Sequence, residues 1–127
     1  MARVLIVDDA VFMRTVLRNI LEEAGHDVVG EAATGEAALE AFDAHGPEVV
    51  TMDLVMPGEG GLVALRRILE HDPTAQVVVV SAVGQQRDVE AAIEAGAVDF
   101  LVKPFDKDAV VKTVERVAGQ AIRQGGS

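Results

Sequence analysis

The chain has 127 residues, the length of one ordinary domain. It carries 11 Lys and Arg against 21 Asp and Glu; phosphate backbones repel a net charge of −10, so free-standing nucleic-acid binding is not expected. There is no Cys, which excludes disulfides, thiolate nucleophiles and Cys-ligated metals, while Val, Leu, Ile and Phe supply 40 residues for a core.

The first apolar run, Arg3–Val7, reads as a strand and stops at Asp8 and Asp9. It is too short for a signal peptide, and no later run reaches the roughly 18 residues of a membrane span, so a cytoplasmic protein without membrane insertion is expected. Helical spacing follows: Phe12, Met13, Val16, Leu17, Ile20, Leu21 and Ala24 share a face up to Ala24-Gly25. A strand is expected over Asp27–Glu31, then a helix marked by Leu39 and Phe42 and closed by His45-Gly46-Pro47. The third strand, Glu48–Met52, precedes a helix with Leu62, Leu65, Ile68 and Leu69, which ends at Asp72-Pro73. Gln76–Val80 is the fourth strand, Val89, Ala92 and Ile93 mark a weaker helix before Ala95-Gly96, and Val98–Val102 is the fifth strand. Asp106 is placed to cap a last helix carrying Val110, Val114, Val117 and Ala121. Five strand–helix pairs with short connections predict a parallel α/β sheet covered on both faces. The first, third and fourth strands are almost wholly apolar, as parallel strands buried on both faces should be.

In such a sheet ligands bind beyond the carboxyl ends of the strands, where strand order reverses. Asp8 and Asp9 follow strand one, Asp53 follows strand three, Ser81 strand four and Lys103 strand five. Three carboxylates, a hydroxyl and an ammonium therefore gather on one edge. His26, His45 and His71 fall at the opposite end, where they read as solvated loop residues rather than ligands. Asp9 could serve merely as the N-cap of the first helix, but that accounts for one acid and not for two. Asp53 lies in the apolar run Val49-Val50-Thr51-Met52-Asp53-Leu54-Val55-Met56-Pro57, where an unpaired carboxylate is costly. Clustered carboxylates repel one another. Lys103 offsets one charge, and a hard divalent cation, Mg²⁺ or Mn²⁺, would offset more. Mg²⁺ uses one or two carboxylates and shares phosphate oxygens, so a carboxylate is left over that resembles a phosphoryl acceptor. Asp53 would attack phosphorus in line, with Lys103 and Ser81 neutralising the equatorial oxygens.

The blocks Val4-Leu5-Ile6-Val7-Asp8-Asp9, Met52-Asp53-Leu54-Val55-Met56-Pro57, Val80-Ser81-Ala82 and Lys103-Pro104-Phe105 together resemble the receiver domains of two-component response regulators, over almost the whole chain. The resemblance implies a flavodoxin-like, doubly wound, five-stranded parallel sheet of order 2-1-3-4-5 with five helices. A receiver domain is expected over residues 1–123, and Gly125-Gly126-Ser127 reads as part of a flexible tail, 124–127. Residue by residue, Asp53 matches the phosphorylated aspartate. Asp8 and Asp9 match the metal-binding pair, with the backbone carbonyl of Val55 as a further metal ligand. Ser81 matches the switch hydroxyl, Phe100 the switch aromatic, and Lys103 the lysine that bonds the phosphoryl group, with a cis Lys103–Pro104 peptide. The implied partners are a sensor histidine kinase and an output protein, such as the flagellar motor, on the face of helix four, strand five and helix five, where Arg87, Glu90, Phe100 and Lys107 fall. Ala10-Val11-Phe12-Met13-Arg14 and Ser81-Ala82-Val83-Gly84-Gln85-Gln86 are most similar to the single-domain chemotaxis regulators of the family. Gly58-Glu59-Gly60-Gly61 departs from the family's pattern, which often has an apolar Met and an acid in this loop.

Three alternatives stand beside a signalling switch. The chain could be the receiver of a larger regulator, of methylesterase or DNA-binding type. It could be a receiver that binds partners without phosphorylation, against which the retention of all five site residues argues. It could be a small Mg²⁺-dependent phosphatase working through an aspartyl phosphate. Such enzymes carry D-x-D on one strand end and a cap domain; here Leu54 and Val55 follow Asp53, and the acids divide between two strands.

Overall fold

A computed structural model of the chain describes residues 1–126, with side chains through residue 120. Its elements run β1 (Arg3–Val7), α1 (Val11–Glu23), β2 (Asp27–Ala32), α2 (Gly35–His45), β3 (Val49–Asp53), α3 (Gly60–His71), β4 (Val77–Ala82), α4 (Gln86–Ala95), β5 (Asp99–Lys103) and α5 (Lys107–Gly126). Ser127, the last residue of the expected tail, lies outside the described residues, and α5 overlaps that tail as far as Gly126. All strand pairs are parallel and the order is β2-β1-β3-β4-β5, the doubly wound arrangement expected from the alternation of strands and helices.

Successive side chains of a strand leave opposite faces, so each apolar strand feeds two cores. Leu5, Val7, Val50, Met52, Val77 and Val79 pack against Phe42 of α2, Leu65 and Ile68 of α3 and Ala92 of α4. Val4, Ile6, Val49, Val78 and Val80 pack on the other face against Leu17 and Leu21 of α1 and Val110, Val114 and Val117 of α5. Among the described residues no helix is long and apolar enough to cross a membrane.

Two expectations are corrected. Asp9 does not cap α1: the N-cap is Ala10, without a side-chain cap, and it is the Asp8 carboxylate that accepts from the Ala10 N–H at 2.9 Å. His26 is not a solvated loop residue but is 6% exposed; its Nδ1 accepts from the Ala2 N–H at 2.9 Å and its Nε2 lies 3.1 Å from Glu115 on α5. That ring ties the start of β1 to α5, at the end of the sheet away from the acids. His45 and His71 are exposed, as expected.

The glycine-rich loop after β3 has a physical reason. Gly58 and Gly60 adopt φ of 80° and 79°, which L side chains avoid. Gly61, at the start of α3, donates to the Leu54 carbonyl at 3.1 Å. A Cβ on Gly61 would fall 2.1 Å from the Asp53 carbonyl oxygen and 2.7 Å from the Leu54 Cα, both backbone atoms that cannot yield cheaply. Gly61→Ala should therefore lower the unfolding free energy by about 3 kcal/mol, the upper part of the usual overpacking range, in a urea titration followed by circular dichroism. A loss under about 1 kcal/mol would mean that the loop yields and that Gly61 does not fix the end of β3.

Candidate functional site

The chain reverses direction across the sheet between β1 and β3, opening the crevice in which the acids meet. Their strands carry them there through ordinary ladder pairing: Asp53 stays in register with Val80, Ser81 with Val102, and Lys103 with Ala82. The backbone pairs regardless of side-chain polarity, which leaves one acid, one hydroxyl and one amine on successive strand ends.

Asp8 is 1% exposed and every one of its polar groups is engaged. Its N–H donates to the Ala32 carbonyl at 3.0 Å, its carbonyl accepts from Arg14 Nη1 at 2.7 Å, Oδ1 accepts from the Ala10 N–H, and Oδ2 lies 3.4 Å from Lys103 Nζ. Asp53 is 6% exposed; Oδ1 accepts from the Val55 N–H at 2.9 Å and Oδ2 from Lys103 Nζ at 3.0 Å. Asp9 is exposed. One carboxylate oxygen from each of Asp8, Asp9 and Asp53 lies within 4.8 Å of the others, and this is the one such group of potential metal ligands among the described residues.

Burial pushes the Asp8 carboxyl above the usual aspartate range; the Ala10 N–H opposes this, the charge of Asp53 adds to it, and Lys103 offsets it in part. Burial pulls the Lys103 ammonium down, but its hydrogen bond to Asp53 and the charges of Asp53 and Asp8 outweigh burial and hold it above the ordinary lysine value. Two buried carboxylates and an exposed one thus face a single cation. An all-oxygen, net-negative donor set of this kind fits a hard divalent ion such as Mg²⁺ or Mn²⁺.

Ser81 is 2% exposed and sits where the acid crevice meets an open groove of about 680 Å³. Val83, Val89, Ile93, Phe100 and Val102 line that groove beyond it. The Phe100 ring is 45% exposed, and Arg87 and Glu90 of α4 and Lys107 of α5 are exposed. The Lys103–Pro104 peptide is cis. Val55, whose N–H donates to Asp53, and Val83, which lines the groove with Ser81, are exposed.

Two residues that shape the site carry no role in the sequence reading. Gly61 is hidden because a glycine after Met56-Pro57 suggests only a turn. Arg14 lies one turn into an amphipathic helix, where an arginine ordinarily means a solvated face. The one available signal was its position, since a cation near a helix N-terminus opposes the macrodipole and needs a partner.

Residues 4–115 match the family model of the response regulator receiver domain. The chain belongs to the response regulator receiver family. It is 52% identical to protein CcdB of Bacillus subtilis, over 94% of this chain and 99% of that one. It is 48% identical to the chemotaxis protein CheY of Thermotoga maritima, over 91% and 97%. The CheX–CheY–BeF₃–Mg²⁺ complex from Borrelia burgdorferi contains a chain 37% identical, with a TM-score of 0.86 over 91% of this chain and 87% of that one. NtrX from Brucella abortus superposes with a TM-score of 0.91 at 31% identity, but this chain spans only 29% of its length. As a receiver, the chain is a signalling protein rather than an enzyme of the ordinary kind.

The raised Asp8 carboxyl has a definite consequence for stability. The folded state holds this proton more tightly than the unfolded chain, so Asp8 costs stability as pH rises from below about 3.8 through its raised value. Asp8→Asn should raise the unfolding free energy at pH 7 by on the order of 1 kcal/mol, and the gain should vanish below about pH 4. Urea midpoints of the two proteins from pH 3 to 8, without divalent metal, provide the check. A gain independent of pH would show that charge is not its cause.

Proposed function

We propose that this protein is a phosphorylation-dependent switch of a two-component system, which accepts a phosphoryl group on Asp53 from a sensor histidine kinase. The observation that carries the reading is the Asp53 carboxylate in an open acidic crevice, with one oxygen held by the Val55 N–H and the other 3.0 Å from the Lys103 ammonium. The backbone N–H fixes the carboxylate plane. An Asp53 oxygen forms the bond to phosphorus while the bond from phosphorus to the donor breaks. Lys103 then turns from the carboxylate to a phosphoryl oxygen, and the Ser81 hydroxyl donates to another, so charge that spreads over these oxygens meets groups already in place. Asp8, Asp9, Asp53 and the Val55 carbonyl would hold Mg²⁺ or Mn²⁺, which supplies further neutralisation of phosphoryl oxygens when bound.

Movement of Ser81 toward the phosphoryl group draws the end of β4 inward and gives Phe100 room to turn into the groove. The exposed face of α4, β5 and α5, with Arg87, Glu90 and Lys107, then becomes the surface an output protein reads. The active state gains only as much as it holds the phosphoryl group more tightly. The likeness to CheY over nearly the full length of both chains supports a role in chemotaxis, acting in the cytoplasm with an output such as the flagellar motor. The partial span of NtrX favours a second reading, in which the same domain serves a larger regulator.

Acetyl phosphate or phosphoramidate with Mg²⁺ should add one phosphoryl group, and Asp53→Asn, nearly isosteric but poorly nucleophilic, should reduce labelling at least about a hundredfold. Intact-protein mass spectrometry reads both; stoichiometric labelling of the variant would place the acceptor elsewhere.

The lifetime of the acyl phosphate depends on a water attacking opposite the aspartyl oxygen. Val55 and Val83 border that approach and offer it no hydrogen bond. Self-catalysed dephosphorylation should therefore be slow. Val55→Asn with Val83→Glu should accelerate it by about tenfold, less than the 10²–10⁴ of an evolved water-positioning group. Loss of labelled phosphate in the presence of Mg²⁺ measures this, and equal decay of both proteins would remove these positions as determinants of the lifetime.

A further inference from the structure

The acidic pair after β1 is supported unequally. Asp8 is held at its N–H, its carbonyl and both carboxylate oxygens. Among the described residues no side-chain hydrogen bond holds the Asp9 carboxylate, so where it points depends on the backbone that carries it. α1 starts without a side-chain cap; the backbone on either side of Asp9 is held by the Asp8 carboxylate on the Ala10 N–H and by Arg14 on the Asp8 carbonyl. Arg14 folds back over the first turn of α1, with Nη1 on the Asp8 carbonyl at 2.7 Å and Nε on Glu31 of β2 at 2.9 Å. The Asp8 carbonyl belongs to the peptide joining Asp8 to Asp9, so fixing it fixes the plane from which the Asp9 side chain departs.

The placement is unfavourable unless it does something. A cation in the first turns of a helix opposes the macrodipole, and here Glu31 compensates it. Glu31 is in turn shared with Arg18, whose Nε lies 2.7 Å from its second oxygen, and Arg18 reaches Glu22 at 3.3 Å. This chain of charges anchors the guanidinium between α1 and β2. Arg14 bonds a backbone carbonyl and Glu31 rather than a carboxylate oxygen of the acidic crevice. A planar guanidinium can span these two acceptors at fixed angles; a single ammonium on a flexible stem cannot.

We propose that Arg14 is a positioning residue for the divalent metal site, holding the Asp8–Asp9 peptide so that the Asp9 carboxylate faces the oxygens of Asp8 and Asp53. This rests on the metal-binding reading of the acidic crevice given above. The alternative is that Arg14 merely clamps α1 to β2, a role it would share with Glu31. Glu31→Gln separates the two: its one amide oxygen can still accept from Arg14 Nε and leave the bond to the Asp8 carbonyl in place, while the amide nitrogen is left toward Arg18 and both ion pairs of Glu31 are lost.

The test is Mg²⁺ titration of the full chain by calorimetry, since the chain has no Trp or Tyr to report by fluorescence, with urea midpoints recorded for every variant. Arg14→Ala should weaken Mg²⁺ about tenfold, as loss of a group orienting metal ligands typically does. Arg14→Lys, which keeps the charge and most of the stem should the alanine variant fold poorly, should weaken it nearly as much. Glu31→Gln should lower the urea midpoint yet leave Mg²⁺ affinity within about twofold of wild type. Wild-type affinity in Arg14→Lys, or equal weakening in Arg14→Ala and Glu31→Gln, would overturn the proposal. Absence of saturable Mg²⁺ binding in the wild-type chain would instead overturn the metal-binding reading beneath it.

Discussion

Two buried carboxylates, Asp8 and Asp53, share one ammonium, that of Lys103, at 3.4 and 3.0 Å, while a third carboxylate, Asp9, stands at the rim. The imbalance governs the whole edge of the sheet. Water screens these charges poorly, so like-charge repulsion weighs more here than on an open surface. The protein tolerates it because each buried oxygen has a donor, and because the sheet beneath is packed on both faces and cannot spread to relieve the strain. A crevice that is short of positive charge yet rigid has a donor set that suits a hard divalent cation.

Rigidity at this edge comes from backbone contacts together with the Arg14 side chain. The end of β3 is set by the approach of Gly61 to Asp53 and Leu54, and the end of β1 by the Ala32 carbonyl and Arg14. Lys103 sits where the fifth strand gives way to Pro104 and α5. Three segments distant in sequence therefore converge through separate anchors, and each fixes the part of one acid or amine that chemistry requires to stay still. The groove beyond Ser81 contrasts with this: it is open and lined by exposed apolar side chains, so it offers room for movement next to a site that has little.

Most of this architecture was legible in the sequence. Continuous Val-rich runs announce strands buried on both faces, and Val77–Val80 leaves little room for another reading. The ends were less legible. The third, fourth and fifth strands run one or two residues further toward the site than apolarity indicates, because Asp53, Ser81 and Lys103 remain in the hydrogen-bonded ladder despite polar side chains. The candidate site residues are thus the ones that disguise the strand ends. The acids, the hydroxyl and the lysine were legible as a set, since each terminates an apolar run. His26 was not, because its burial depends on Glu115 and Ala2, neither near it in sequence. Arg14 was not, because its partners are a backbone carbonyl and a residue on another strand.

The direction of the chain at its two ends has a further consequence. β1 starts at the edge opposite the acids and runs toward them, while α5 starts beside Lys103 and runs back. A helix of 20 residues spans about 30 Å, against about 17 Å for a five-residue strand, so α5 passes the far edge of the sheet. The start of β1 and the middle of α5, joined through His26, therefore lie at the end of the sheet away from the crevice. Such a layout keeps both elements from closing over the acidic crevice, whose rim at Asp9 stays exposed.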